Sequence, residues 1–187
     1  MAIASATALS HQLLAQPKRD SMSPHPTGRV VPTSSGVDLI LTRTFRATID
    51  DVWKSVTDPD CMARWFGRWE GDAGPGKYVT LHMGFEKDAA PAQVLIETCR
   101  PPHQLAISMK DEHGDWHLNL SLEQTGDVTT LSFVQHLTDT KFVGDTGPGW
   151  EYYLDMLVAS RDGNPLPSFD DYYPAQRDYF IEQISKK

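Results

Sequence analysis

The side chains of this chain that could do chemistry are its histidines, two cysteines and one glycine-rich run ending in lysine, and their spacing removes most of the usual reactions. Gly71-Asp72-Ala73-Gly74-Pro75-Gly76-Lys77 has the glycine and lysine spacing of a phosphate-binding loop, but Tyr78 stands where a Ser or Thr would hold magnesium. Pro75 removes an amide donor. The alternating stretch from Tyr78 to Met83 reads as a strand, whereas phosphate needs the N-terminus of a helix, so the run is a hairpin turn. His113 and His117 have a spacing that joins metal ligands on a helix, yet they fall across a turn and a strand start, and no metal is expected. No Gly-x-Ser-x-Gly elbow occurs, and no Cys-His pattern names a nucleophile. Cys61 and Cys99 lack Cys-x-x-Cys spacing and read as reduced structural thiols of a cytoplasmic protein, with a disulfide as the open alternative. No cofactor is implied.

What remains is aromatic. Trp65 ends the segment Asp58-Pro59 to Arg64-Trp65-Phe66-Gly67, and Trp150 opens Trp150-Glu151-Tyr152-Tyr153-Leu154 after Gly147-Pro148-Gly149. Each reads as one edge of a cavity. Val37, Leu39, Leu41 and Phe45 alternate as a half-buried strand. Thr48 followed by Asp51 starts a helix carrying Val52, Trp53 and Val56, and Asp58-Pro59 starts a second short one. Further strands are predicted around 68–70, 77–83, 92–99, 105–110, 116–123 and 128–136, separated by short turns that require antiparallel pairing. A long helix is expected to begin after Gly147-Pro148-Gly149 and run to about Arg161, with Trp150, Tyr153, Leu154, Leu157 and Val158 on the sheet and Glu151, Asp155 and Arg161 facing water.

The 187 residues, 40% hydrophobic, suit one core. The net charge of −8, from 17 basic against 25 acidic side chains, argues against nucleic acid and against an anionic bilayer as partners. No run approaches the roughly 20 apolar residues of a membrane span. Residues 1–35 are expected to be a disordered extension, because their Pro, Ser and Thr content cannot repay the entropy of ordering. Met22 is an ordinary start within it, which makes residues 1–21 an upstream extension or a short targeting arm; they lack the layout of a secretory signal. Residues 36–161 are expected to form the single folded domain. Residues 162–187 are an arm with a short helix between Pro174 and Ser185, laid over the domain or over a partner subunit in a homodimer.

The chain resembles the START-like, Bet v 1-like superfamily (SRPBCC), in the branch related to the activator of heat-shock protein 90 ATPase. The resemblance rests on Val52-Trp53-Lys54-Ser55-Val56-Thr57-Asp58-Pro59, Arg64-Trp65-Phe66-Gly67, Gly74-Pro75-Gly76-Lys77-Tyr78, Pro101-Pro102 with Leu105, and Gly149-Trp150-Glu151-Tyr152-Tyr153-Leu154-Asp155, and covers about 37–160. It implies an α+β helix-grip fold: a curved antiparallel sheet of about six or seven strands around a long C-terminal helix, two short helices after strand one, and an elongated cavity. It fixes no reaction, since its members include hydrophobic-ligand carriers, polyketide cyclases or aromatases, antibiotic-binding resistance proteins and cochaperone domains.

Strand phase names the candidate ligand-binding residues. If Gly76-Lys77-Tyr78 matches the strand start of the family, Tyr78, Thr80 and His82 point inward, although Val79, Leu81 and Met83 make the more apolar face; the resemblance is followed here. Met109, then Trp116, then Phe133 and Gln135, with Trp65, Phe66, Trp150 and Tyr153, complete the set. Each aromatic alone is equally what a plain core contains. The expected function is the binding of a hydrophobic or aromatic small molecule, without implied catalysis. One alternative is a cyclase or aromatase in which His82 is the acid or base. The other is a cochaperone-like interaction module using the sheet exterior or the aromatics around Tyr172 and Tyr173.

Overall fold

A computed structural model describes residues 24–111 and 114–185 of the chain. The expectations placed on residues 1–21, on Met22 and on His113 lie outside these residues. The described part opens with β1 (Arg29–Pro32), which pairs antiparallel with β2 (Val37–Phe45). β2 has the predicted alternation, with Val37, Leu39, Leu41 and Phe45 buried. β1 corrects the expected extent of the disordered lead. Its backbone is paired along the edge of the sheet and Val30 is buried, so ordering is offset by ladder bonds and apolar burial that composition does not register.

Helix α1 (Ile49–Thr57) starts where Thr48 Oγ accepts from the Asp51 amide at 3.4 Å, and it buries Val52 and Val56. In α2 (Pro59–Met62), Asp58 accepts from the amides of Asp60 and Cys61 at 3.0 Å each. The Cys61 amide bond, above all, holds the Asp58 carboxyl below its ordinary pKa. The end of α1 is closed by side chains further along the chain. Trp65 Nε1 donates to the Ser55 carbonyl and Trp69 Nε1 to the Thr57 carbonyl, each at 2.9 Å, so the two indoles satisfy carbonyls that a helix terminus leaves without donors.

Strands β3 (Gly67–Glu70), β4 (Tyr78–Met83), β5 (Ala92–Arg100), β6 (Gln104–Asp111), β7 (Gly114–Thr125) and β8 (Val128–Leu137) complete one antiparallel sheet in the order β1-β2-β8-β7-β6-β5-β4-β3. The strand beyond the expected six or seven is β1. A register shift between Ile96 and Thr98 puts a bulge in β5, which bends the strand and helps the sheet to curl.

The long helix, α3 (Val143–Asp162), closes at Gly163 in the left-handed region at φ 67°. It begins before Gly147-Pro148-Gly149 rather than after, so these residues are inside it. The reason is tertiary. The Phe180 ring of α4 (Arg177–Ser185) is fully buried against the backbone of α3, and a Cβ on Gly147 would stand 2.4 Å from Phe180 Cγ. Gly28 meets the same ring at 2.8 Å and Gly144 meets Ile181 at 2.9 Å by the same construction. Glycines that read as helix breakers are the seat of the C-terminal arm. Gln183 fastens α4 to the first strand segment, accepting from the Val30 amide at 3.0 Å and donating to the Gly28 carbonyl at 3.3 Å.

Glu151, expected to face water, is 2% exposed. Its carboxylate accepts from the amide of Thr27, from that of Gly28 at 2.6 Å, and from Arg43 Nη2 at 2.6 Å. Arg43 also reaches Asp155 at 2.8 Å, and Asp155 accepts from the Tyr172 hydroxyl at 2.7 Å. Burial opposes the charge on Arg43, but Asp155 and Glu151 outweigh it and raise its pKa above the ordinary value. Tyr172 is therefore 1% exposed and part of this network, which corrects the expectation that it offers a free aromatic surface.

Two outcomes test this packing. Gly147→Ala should destabilise the protein by about 1–3 kcal/mol through overpacking against Phe180, whereas Gly149→Ala, whose Cβ meets nothing within 4 Å, should be neutral or stabilising in the same urea titration. Glu151→Ala should cost about 3–5 kcal/mol, because it leaves the Thr27 and Gly28 amides without their acceptor and Arg43 with Asp155 as its one remaining carboxylate, and Glu151→Gln, which keeps an acceptor, should cost less.

Candidate functional site

The concave face of the sheet does not close on α3. Between them lies a cavity of about 950 Å³, open on one side, walled by Leu81 and Met83 of β4, Met109 of β6, Trp116 of β7, Gln135 of β8 and Trp150 and Tyr153 of α3. Deeper in the grip is an apolar void of about 70 Å³ among Trp65, Leu118, Phe133 and Leu154. Phe66 and Trp150 line both spaces and stack on each other, with centroids 5.8 Å apart and planes 23° from parallel. They form the partition. Phe133 backs Trp150 at 4.2 Å, and Tyr153 meets Phe66 edge-on at 4.9 Å, so the aromatic wall is held on both sides.

Two polar groups interrupt this surface. Trp150 Nε1 donates to Gln135 Oε1 at 2.5 Å, which fixes the amide and the indole together. Gln135 is 1% exposed and borders the cavity. One turn along α3, the Tyr153 hydroxyl donates at 2.9 Å to Glu86 in the connection between β4 and β5. Burial first, then the Glu86 charge, pushes the Tyr153 pKa well above 10.0.

The structure brings Phe66, Met109, Trp116, Gln135, Trp150 and Tyr153 together around the larger cavity, and puts Trp65 and Phe133 at the inner void. Two candidates lie elsewhere. Tyr78 is 61% exposed, and the His82 side chain is 45% exposed beside Glu70 at 3.2 Å, because Val79 and Leu81 occupy the inward phase of β4. A strand can turn only alternate residues inward, and dehydrating a phenol and an imidazole costs more than dehydrating two aliphatic groups. The apolar phase of β4 was the correct guide, against the family resemblance. Residues of the wall that sequence reasoning missed include Leu81 and Met83, which that phase would have identified, and Glu86 and Asp88, for which no periodic signal existed.

Another arrangement invisible in the sequence stands on the opposite face. His136 Nδ1 lies 2.8 Å from Asp38 Oδ1 and its Nε2 lies 3.1 Å from Ser35 Oγ, the order of contacts found in an activated serine. None of the three lines either cavity, and Ser35 is exposed on the hairpin between β1 and β2, so the relay has no enclosed place for a substrate. Among the described residues no group of three or more His, Cys, Asp or Glu could hold a metal ion, no helix is long and apolar enough to cross a membrane, and Cys61 and Cys99 are unbridged.

A curled antiparallel sheet gripping a long C-terminal helix above an aromatic cavity defines a helix-grip protein of the START-like, Bet v 1-like class. Within that class, the chain belongs to the family described as Activator of Hsp90 ATPase homolog 1-like protein, whose model matches residues 46–160. No protein of curated function matches it by sequence. The crystal structure of CalU16 from Micromonospora echinospora is similar at 26% identity and a TM-score of 0.69, over 86% of this chain and 97% of that one. A Bordetella parapertussis protein solved by NMR shares the fold at 23% identity and TM-score 0.66, over 87% of this chain and 93% of that one. DynU16, from the dynemicin biosynthetic locus, shares it at 20% and 0.61; the match spans 73% of this chain and half of the length of DynU16, 50%.

The two buried phenols give a pH test. Tyr153 and Tyr172 have pKa values raised on folding, so the unfolded chain loses its phenolic protons first as pH rises through 10.0. Stability should therefore fall above that pH, and Tyr153→Phe should flatten the decline of the urea midpoint between about pH 9 and 11 relative to the unaltered chain.

Proposed function

We propose that the protein binds an apolar or aromatic small molecule in the cavity between its sheet and α3. The observation that supports this most directly is the space itself: about 950 Å³ lies open between the sheet and α3, walled by Phe66, Trp116, Trp150 and Tyr153 and bordered by Gln135, whose amide oxygen is held by Trp150. The cavity is also within the volume range of small-molecule sites, and the stacked Phe66 and Trp150 offer a flat ring surface. Burial of a tricyclic guest would contribute several kcal/mol at about 25 cal/mol per Å².

A cyclase reading lacks its named base, since His82 faces solvent on the outside of the sheet. The ligand-binding roles assigned to Phe66, Met109, Trp116, Gln135, Trp150 and Tyr153 are part of this proposal, with Trp65 and Phe133 supporting the partition from behind. A cytoplasmic setting is part of the same reading, with Cys61 and Cys99 taken as reduced structural thiols.

Native mass spectrometry of freshly purified protein should show a small molecule retained by the folded chain, and a ligand that binds the folded state must raise the melting temperature. Trp116→Ala should weaken binding by at least about tenfold through lost contact area, while His82→Ala leaves binding unchanged. Loss of binding in His82→Ala with an intact Trp116→Ala site would sink the proposal.

A further inference from the structure

The relay of Ser35, His136 and Asp38 lies outside the cavity and takes no part in its walls. Its two inner members are set by the sheet. Asp38 and His136 are directly opposed in the β2–β8 ladder, and alternation turns both away from the cavity, so that Asp38 Oδ1 comes to 2.8 Å from His136 Nδ1. Their side chains are 33% and 25% exposed, which shields the contact from most solvent. The third member is brought by the turn. A Cβ on Gly36 would stand 2.1 Å from the Leu137 carbonyl oxygen, so the hairpin is pressed onto the end of β8 and delivers Ser35 Oγ to 3.1 Å from His136 Nε2. The turn is itself braced: the Thr33 amide donates to the Gly36 carbonyl at 2.9 Å and the Ser35 amide to Thr33 Oγ1 at 3.4 Å.

A histidine beside a carboxylate on a sheet is ordinarily an ion pair and no more. What differs here is that both ring nitrogens are engaged, and in the order that fixes their roles. Ionised Asp38 can only accept, which holds a proton on Nδ1 and leaves the Nε2 lone pair for the Ser35 hydroxyl. The hydroxyl thus donates to a base whose protonated form is stabilised from behind by a carboxylate, the arrangement that makes a serine nucleophilic. Ser34, its neighbour in the chain and also exposed, has no such ring contact among the described residues.

We propose that Ser35 is a nucleophile that takes an acyl group from small activated esters, with His136 as its base and Asp38 as the residue that positions the ring. Ser35 Oγ attacks the ester carbonyl carbon as its proton passes to His136 Nε2; the bond to the leaving phenoxide breaks, the imidazolium gives up that proton to it, and an acyl-serine remains. Water then attacks the acyl carbon, and Nε2 carries its proton to the departing Ser35 oxygen, which releases the carboxylic acid and restores the hydroxyl. Because Ser35 stands in water, the charge that develops on the carbonyl oxygen is met by solvent, and the acceleration is that of a positioned base, at the low end of about 10²–10⁴-fold. The substrate class follows: a small acyl group on a good leaving group, which meets the serine from solvent without a pocket. The reaction needs nothing from the cavity and is independent of any guest there.

The test treats the full chain with p-nitrophenyl acetate, following nitrophenol release by absorbance and locating the acetyl group by peptide mass spectrometry of acid-quenched samples. Acetyl should appear on Ser35 and not on Ser34, and acylation should be about a hundredfold slower in Ser35→Ala and in His136→Gln, each shown by circular dichroism to be folded. Ser34→Ala should react at the rate of the unaltered chain. Asp38→Asn should slow acylation by at least about tenfold. Side-chain nitrogen NMR should find the His136 proton on Nδ1 in the unaltered chain and on Nε2 in Asp38→Asn, a change that an aspartate with a merely structural role would not produce. Acetyl on Ser34 or on lysines but not on Ser35, release as fast in Ser35→Ala as in the unaltered chain, or a His136 proton resident on Nε2 before any substitution overturns the assignment.

Discussion

The carboxylate of Glu151 is the point on which the assembly of this protein turns. It sits on the long helix with its charge removed from water, and such a group is tolerated only when donors surround it. The donors come from separate parts of the chain: the Thr27 and Gly28 amides ahead of the first strand, and the Arg43 guanidinium of the second. Through Arg43 and Asp155 the network extends to Tyr172 in the C-terminal arm. One ionised group thus makes the two ends of the described chain and the sheet agree on a single position for α3. The replacement of these contacts by water would be open only to an α3 that had left its seat.

That position has a consequence on the other side of the helix. With Glu151 turned toward the termini, Trp150 and Tyr153 are turned toward the concave sheet, where they meet Gln135, Phe133 and Phe66. The stacked pair Phe66 and Trp150 stands as a plate across the grip. Behind the plate the residual void is small and apolar; in front of it the space is large, with a polar rim. The core packing and the candidate site are therefore one construction, and the aromatic residues serve both.

The fold was legible to a considerable depth. Alternation in Val37 to Phe45, the caps at Thr48 and Asp58, and the turn residues between later strands are local signals, and each produced the element expected. The site was legible where a strand's apolar phase decided which way its residues faced, as for Met109, Trp116 and Phe133 on β6 to β8, and where aromatics bordered a helix, as for Phe66, Trp150 and Tyr153. On β4 the apolar phase and the family resemblance disagreed, and following the resemblance put Tyr78 and His82 inside when the desolvation of their polar atoms keeps them outside. Glu86 was beyond reach because irregular connections carry no period from which direction can be inferred.

What the amino-acid order determined by itself is most of the elements from β2 onward, their antiparallel succession and the family, because strand alternation, capping and turn chemistry act between residues a few positions apart. Only the tertiary structure decided that Gly144 and Gly147 seat an arm rather than break a helix, that Glu151 is buried, and that Ser35, Asp38 and His136 meet. Those outcomes depend on which distant surface arrives against each residue. Local spacing holds no record of that; the free energy of burying charge and fitting rings is settled once the chain has closed on itself.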